Sequence, residues 1–174
     1  GAGEDYSFAR LCQLAQEEEI DSLVDCNDDG FLAPDSMIEA VRAFCQKSGQ
    51  PVPRTAAQLA AVIYRSLAHC YRKTKAELEQ VTGKTYREIH IVGGGANADY
   101  LNQLTADAAG SPVYAGPTEA TAIGNLAAQM IRAGVYGNLK EAREGIFRSF
   151  EIRKYEPSPQ ARAGKNREMD GPCG

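Results

Sequence analysis

The sequence predicts an α/β protein, rich in helix and carrying a small sheet. Three observations lead there. Several segments repeat apolar residues at helical spacing, and two of them open with capping boxes. A β-branched run, Glu88 to Val92, enters three consecutive glycines, and a helical pattern follows at once. Helical segments come first and a β-α-β-α order comes after, which is the arrangement of an α/β chain.

The elements follow in order. Phe8, Leu11, Cys12 and Ala15 repeat at helical spacing. "SMIE" (Ser36 to Glu39) is a capping box, and it predicts a helix with Met37, Ile38, Val41, Phe44 and Cys45 on one buried face. "SGQPVPRT" breaks that helix with a glycine and two prolines. "TAAQ" (Thr55 to Gln58) opens the longest helix, through Leu59, Ile63, Leu67, Cys70 and Leu78 to a stop near Gly83. "EIHIV" reads as a buried strand, and the helix after the glycines runs to Ala109, stopped by Gly110. "PVYA" is a short strand with a turn at Gly116-Pro117 behind it. Thr118 is expected to cap a helix carrying Ile123, Leu126, Ala127, Met130 and Ile131, which ends at Gly134. "FRSFEIRKY" alternates as a last edge strand. Residues 1–157 read as one domain and 158–174, polar and rich in Gly, Pro, Arg and Lys, as a disordered tail.

Composition bounds the function. The chain has 174 residues, 43% hydrophobic and 24% charged, as a soluble domain does. A net charge of -4 argues against a nucleic-acid or membrane-surface binder. No apolar run approaches the ~18 residues of a membrane span, and no signal pattern opens the chain. The start, "GAGEDYSF", reads as an artificial scar or as a cut inside a longer protein. Cys12, Cys26, Cys45, Cys70 and Cys173 are scattered without a C-x-x-C pair, which suits reduced, buried thiols in a cytoplasm.

Gly93, Gly94 and Gly95 are the candidate binding residues. Glycines between a strand and a helix let ligand atoms approach backbone N–H groups, and the helix behind offers its positive end, a setting for a nucleotide phosphate or ribose. Gly93, Gly95 and Ala98 also satisfy G-x-G-x-x-A, the fingerprint of a nicotinamide-dependent Rossmann enzyme. That fold needs an acid at the end of the next strand, yet the first acid here is Glu119, at the start of the following helix. Asp25 to Ser36 matches the opening of a calcium loop at Asp25, Asn27, Asp29, Gly30 and Leu32, so a calcium-binding or interaction module is a further reading. Ser36 stands where the bidentate Glu belongs, and an Asx-rich turn feeding a capped helix accounts for the same residues. His69 lacks a partner at metal-ligand spacing, and His90 alternates within a strand. No nucleophile elbow or Walker loop is present.

"IHIVGGGANADYLNQLTADAAGSPVYAGPTEATAIGNLAAQMI" resembles the adenosine-binding segment of the FGGY carbohydrate kinases. "CNDDGFLAPDSMIEAVRAFCQ", the Gln-Pro-Val-Pro linker and "AAVIYRSLAHCYR" are similar to the branch of that family that acts on L-rhamnulose with ATP. The resemblance runs from about Asp5 to Pro157. It implies a partial C-terminal domain of the actin-like ATPase (ribonuclease H-like) fold. It also implies that Gly93, Gly94 and Gly95, with Asn97 beside them, contact adenosine of ATP. Glu119, Ala122 and Gly124 match the family's E-x-x-A-x-G helix, where small residues pack closely behind the nucleotide, and the Asp25–Ser36 loop becomes structural. Such kinases also carry an Asp-x-Gly-x-[Ser/Thr] hairpin for phosphate and magnesium, and an aspartate as general base. The only Asp-x-Gly here, Asp28-Asp29-Gly30, lacks the hydroxyl residue. The chain is therefore expected to be catalytically inactive alone, to meet its sugar and magnesium only with a missing N-terminal part, and to self-associate through an unpaired strand edge.

Overall fold

The computed structural model describes residues 7–161, which divide into two compact units between Lys84 and Thr85. The first unit is helical. Helix α1 (Phe8–Glu17) begins where the Ser7 side chain accepts from the Arg10 N–H, and it packs against α3 (Ala56–Thr82) through buried Cys12 and Ala15. Helix α2 (Met37–Lys47) starts at Ser36, whose Oγ accepts from the Glu39 N–H. Thr55 caps α3 in the same way, while the Gln58 side chain turns back to accept from the Arg54 N–H at 3.0 Å. Gly83, in a left-handed conformation, ends α3.

Val41, Cys45 and Val62 form the centre of this unit, with Ile20, Val24, Phe31, Leu59 and Ile63 packed on them. The expected apolar face of α2 is therefore narrower than its pattern: Met37 and Ile38 are 47% and 45% exposed, and only Val41 and Cys45 are buried. In the first turn of a helix the stripe has not yet reached its neighbours. Leu78, near the end of α3, is likewise exposed.

Besides the apolar contacts of Ile20, Val24 and Phe31, polar bonds hold the irregular chain between α1 and α2. Ser22 Oγ donates to Pro51 O at 2.6 Å, and the Gln50 amide clasps Leu23, accepting its N–H at 2.8 Å and donating to its carbonyl at 2.9 Å. Ser66 Oγ accepts from the Val24 N–H at 2.9 Å and donates to Val62 O. The Arg65 guanidinium donates to the carbonyls of Glu18 and Ile20. These bonds satisfy backbone groups that would otherwise go unpaired where the loop is partly buried. Within Asp25–Ser36, Asp25 Oδ1 accepts from the Asn27 N–H and Asp28 Oδ1 from the Gly30 N–H, two Asx turns leading into a short 3₁₀ turn at Asp29–Phe31.

The second unit carries a three-stranded sheet in the order β1-β2-β3. Strands β1 (Ile89–Ile91) and β2 (Val113–Ala115) are parallel, joined through α4 (Asp99–Ala109). Strand β3 (Arg153–Tyr155) is antiparallel to β2. Central β2 is buried at Val113 and Ala115. The expectation that "EIHIV" is a buried strand fails: Ile89 and Ile91 are half-buried, His90 is exposed and Val92 is 54% exposed. Strand β1 is an edge, and among the described residues nothing pairs with its outer side. The register sets His90, Tyr114 and Lys154 side by side, so they share a face; the His90 ring stacks on Tyr114 at 5.3 Å and the Lys154 ammonium lies over the same ring.

Two further expectations are corrected. Helix α5 (Ala120–Arg132) starts later than a Thr118 cap requires: Glu119 is its cap residue, without a side-chain bond, and Thr118 Oγ1 donates instead to Asn97 Oδ1. Helix α6 (Leu139–Ser149) takes in the start of "FRSFEIRKY", so the strand there is only three residues long. Asn138 caps α6 by accepting from the Glu141 N–H, while Glu141 accepts from the Gly137 N–H at 2.7 Å. Of the expected tail, Ser158 donates its N–H to Asp107 Oδ1 at 2.7 Å, and residues 162–174 lie outside the described residues.

Candidate functional site

The glycine loop begins where two parallel strands end together. The Gly116 N–H donates to Ile91 O at 2.9 Å and the Gly93 N–H to Pro117 O at 3.1 Å, so each strand's exit is tied to the other's. Gly116 has φ +129 and a Cβ there would fall 2.7 Å from Glu151 O, so both its conformation and its surroundings demand glycine. Residues Gly93–Asn97 then form a 3₁₀ turn, and α4 starts at Asp99.

The three glycines are not equivalent. Gly93 has φ +75, a left-handed conformation that a side chain resists. A Cβ on Gly95 would make an ordinary 3.5 Å contact with Ile91. Gly94 has no positive φ, and a Cβ there would meet nothing within 4 Å among the described residues. Neither the fold nor the packing of the unit explains why Gly94 is bare. Helix α5 shows the same at Gly124: it and Ala122 are exposed, and a Cβ at Gly124 would reach open space. Close packing around this glycine, as the family pattern implied, is not made by the described residues.

Behind the loop sits a network that sequence reading missed. Ala96 and Ala98 are buried, and the Ala96 carbonyl accepts two hydrogen bonds, from Arg153 Nη2 at 2.7 Å and from Asn102 Nδ2 at 3.1 Å. Arg153 Nη1 pairs with Asp99 Oδ1, which also accepts from the Tyr155 hydroxyl. Asn97, exposed, has its Oδ1 at the outer limit of contact with Arg153 and Thr118. Asn102 is fully buried, and its Oδ1 has no partner among the described residues. Burial and the hydrogen bond it donates to Asp99 push the Tyr155 phenol above its ordinary value. These groups converge from β3 and α4 across more than fifty residues of chain, beyond the reach of any local pattern.

The other candidates do not assemble. Among the described residues no three His, Cys, Asp or Glu side chains come together to hold a metal. In the first unit a cavity of about 800 Å³ is lined by Cys26, Asn27, His69 and Cys70, among others. Burial, then the neighbouring Cys70 and Asp25, pushes the Cys26 thiol up, away from the reactive thiolate, and burial and Arg72 push His69 down. Cys12 and Cys45 are buried and Cys26 and Cys70 half-buried, all four as free thiols. No helix among the described residues is long and apolar enough to cross a membrane.

Comparison with known proteins bears on this arrangement directly. Residues 2–133 match the model of the FGGY family of carbohydrate kinases, C-terminal domain. The chain is 46% identical over 154 residues to the rhamnulokinase of Bacillus subtilis (strain 168), covering 88% of this chain and 32% of that protein. It is 41% identical over 150 residues to the rhamnulokinase of Halalkalibacterium halodurans, covering 86% and 32%. To the rhamnulokinase of Enterococcus faecalis it is 42% identical over 165 residues, covering 93% and 33%. The chain thus spans about a third of the length of the curated relatives it matches. With a family model covering most of its length, and the β-strand, glycine loop and α4 within that match, the chain belongs to the FGGY family of carbohydrate kinases, as a rhamnulokinase-like C-terminal domain.

Proposed function

We propose that this chain is the adenosine-binding part of a cytoplasmic, ATP-dependent kinase on the actin-like ATPase fold. Its reaction converts L-rhamnulose and ATP to L-rhamnulose 1-phosphate and ADP. The observation that carries the site is Gly94: a bare position on a 3₁₀ turn that its own unit gives no reason to keep bare. A ligand lying against the turn supplies that reason. Gly93, Gly94 and Gly95 would hold the nucleoside by close backbone approach, with Asn97 at the rim. That the relatives are rhamnulokinases supports the sugar.

The chemistry of the loop favours the nucleoside end over the phosphates. Asp99 already places a carboxylate in the first turn of α4, where the helix dipole would otherwise favour a phosphate. Asp99 also takes the Arg153 guanidinium as its counter-ion, so the helix end and that cation are both engaged, and an uncharged ribose or base needs neither. ATP supplies the phosphoryl group, whereas the residues here bind and orient its other end. The cluster of acids that would hold magnesium is not found among the described residues, and neither is an Asp-x-Gly-x-[Ser/Thr] hairpin in the sequence. We assign both to the part of the kinase outside this chain, along with the general base.

The test has two arms. Titrating adenosine or ATP into ¹⁵N-labelled chain should shift the amides of Gly93 to Asn97, and the same chain with ATP, magnesium and L-rhamnulose should give no sugar phosphate. Shifts that spare the loop would overturn the site. Turnover above a heat-killed control would overturn the division of labour.

A further inference from the structure

We propose that Arg153, assisted by Asn102, is a positioning residue for the nucleotide: it fixes the glycine loop by holding the Ala96 carbonyl. This rests on the reading of the loop as the adenosine contact. Arg153 and Tyr155 lie outside the residues that match the family model, so this role comes from the geometry alone.

A 3₁₀ turn has poor internal hydrogen-bond geometry and does not hold itself rigidly. Gly93 and Gly94 add backbone freedom at the point where a ligand needs a fixed surface. The turn must be stiffened from outside. The Ala96 carbonyl, one residue past the glycines, has both lone pairs used, by Arg153 at 2.7 Å and Asn102 at 3.1 Å. Because the peptide is planar, fixing that carbonyl fixes the whole Ala96–Asn97 unit. The planar guanidinium gives one nitrogen to Ala96 and the other to Asp99, so a single side chain locks the turn to the first residue of α4. Tyr155, two residues along β3, holds the same carboxylate.

Asn102 points the same way. It is fully buried, and its Oδ1 is unsatisfied among the described residues. A half-satisfied amide is a poor choice for a core, since an apolar side chain of similar size would leave nothing unpaired. The Asn102 amide donates to the Ala96 carbonyl at 3.1 Å and also bonds the Tyr155 side chain, so the half that is used ties the turn to β3.

The test uses the full-length kinase. Arg153→Met keeps the aliphatic stem and removes both donors. It should raise KM for ATP roughly tenfold, the low end of what losing a supporting hydrogen-bond shell costs. KM for the sugar and the melting temperature should stay close to those of the parent. Gly94→Val serves as the reference for the loop itself. If Gly94→Val raises KM for ATP and Arg153→Met does not, the positioning role is wrong and the loop reading stands. If neither raises it, the loop reading has failed and this inference with it. If Arg153→Met lowers the melting temperature and moves both KM values together, Arg153 is merely structural. Should that variant not fold, Asp99→Asn, which keeps the shape and removes the charge, should speed hydrogen exchange at the Gly94 to Asn97 amides while global protection is retained; unchanged exchange there would overturn the proposal.

Discussion

Substituting Gly93 and Gly94 separately distinguishes a ligand-binding loop from a structural turn, because stability and affinity are expected to fall in different rank orders. At Gly93 the cost is conformational. With φ +75, alanine must adopt a left-handed backbone at about 1–2 kcal/mol, and its Cβ finds only an ordinary 3.9 Å neighbour in Thr118 O. At Gly94 there is neither strain nor clash, so Gly94→Ala should be neutral or gain up to about 1 kcal/mol by restricting the unfolded chain. Gly94→Val loses about 0.5 kcal/mol of that to its restricted χ1. Stability, measured by urea unfolding, should therefore fall in the order Gly94→Ala, Gly94→Val, Gly93→Ala. Affinity for ATP in the full-length protein should follow a different order, with Gly94→Val worst, by at least tenfold or about 1.4 kcal/mol. An unchanged affinity in Gly94→Val alongside a steep fall in melting temperature would refute the reasoning. The loop would then be a turn and nothing more.

Three other outcomes follow from the packing. Ser66→Ala removes the acceptor of the Val24 N–H and should cost about 1–3 kcal/mol in urea unfolding; a variant as stable as the parent would mean that the tie to α3 contributes nothing. Tyr155 has its phenol pushed above the ordinary value by burial and then by the bond to Asp99, so the fold favours the neutral form. That contribution is present below about pH 10 and lost as pH rises through the folded value, so the stability difference between parent and Tyr155→Phe should shrink above about pH 10; a constant difference would refute it. The open outer edge of β1, with Val92 54% exposed beside it, should let the isolated chain pair with a second copy across a two-fold axis. Sedimentation at micromolar concentration checks this, and a strict monomer that unfolds cooperatively would count against it.

Local chemistry made much of this fold readable. Ser36 and Thr55 cap helices because each hydroxyl serves an N–H three residues on, and Gly83 and Gly110 end helices in a left-handed conformation. The same logic was available for α6, where Asn138 and Glu141 form a cap, but the alternation of "FRSFEIRKY" suggested strand instead. Alternation failed there because Phe147 and Ser149 close a helix before the strand begins at Arg153. The burial of β1 was misjudged since it depends on which strand lies alongside, and that is not written in five residues. The glycine triplet stood out in the sequence. The division of labour inside it did not, because only the backbone reveals that Gly93 is bare for its own conformation and Gly94 is not. Nor could any spacing rule link Arg153 to Ala96, which meet only when β3 closes the sheet.

The doubly bonded Ala96 carbonyl also makes the loop observable in a way few backbone sites are. Each hydrogen bond that a carbonyl accepts weakens its C=O bond and lowers its stretching frequency, and two donors, one of them cationic, lower it further. A ¹³C label at that carbonyl, introduced by semisynthesis or by selective alanine labelling with difference spectra, should therefore give an amide band set apart from those of ordinary turn peptides. Ala96 is buried and Gly94 exposed, so the label reports on the loop from its buried part. If adding adenosine tightens the grip on this carbonyl, the band moves further down. If the ligand draws the turn outward, the band moves back up, and the infrared spectrum becomes a direct record of how firmly the chain holds its own loop.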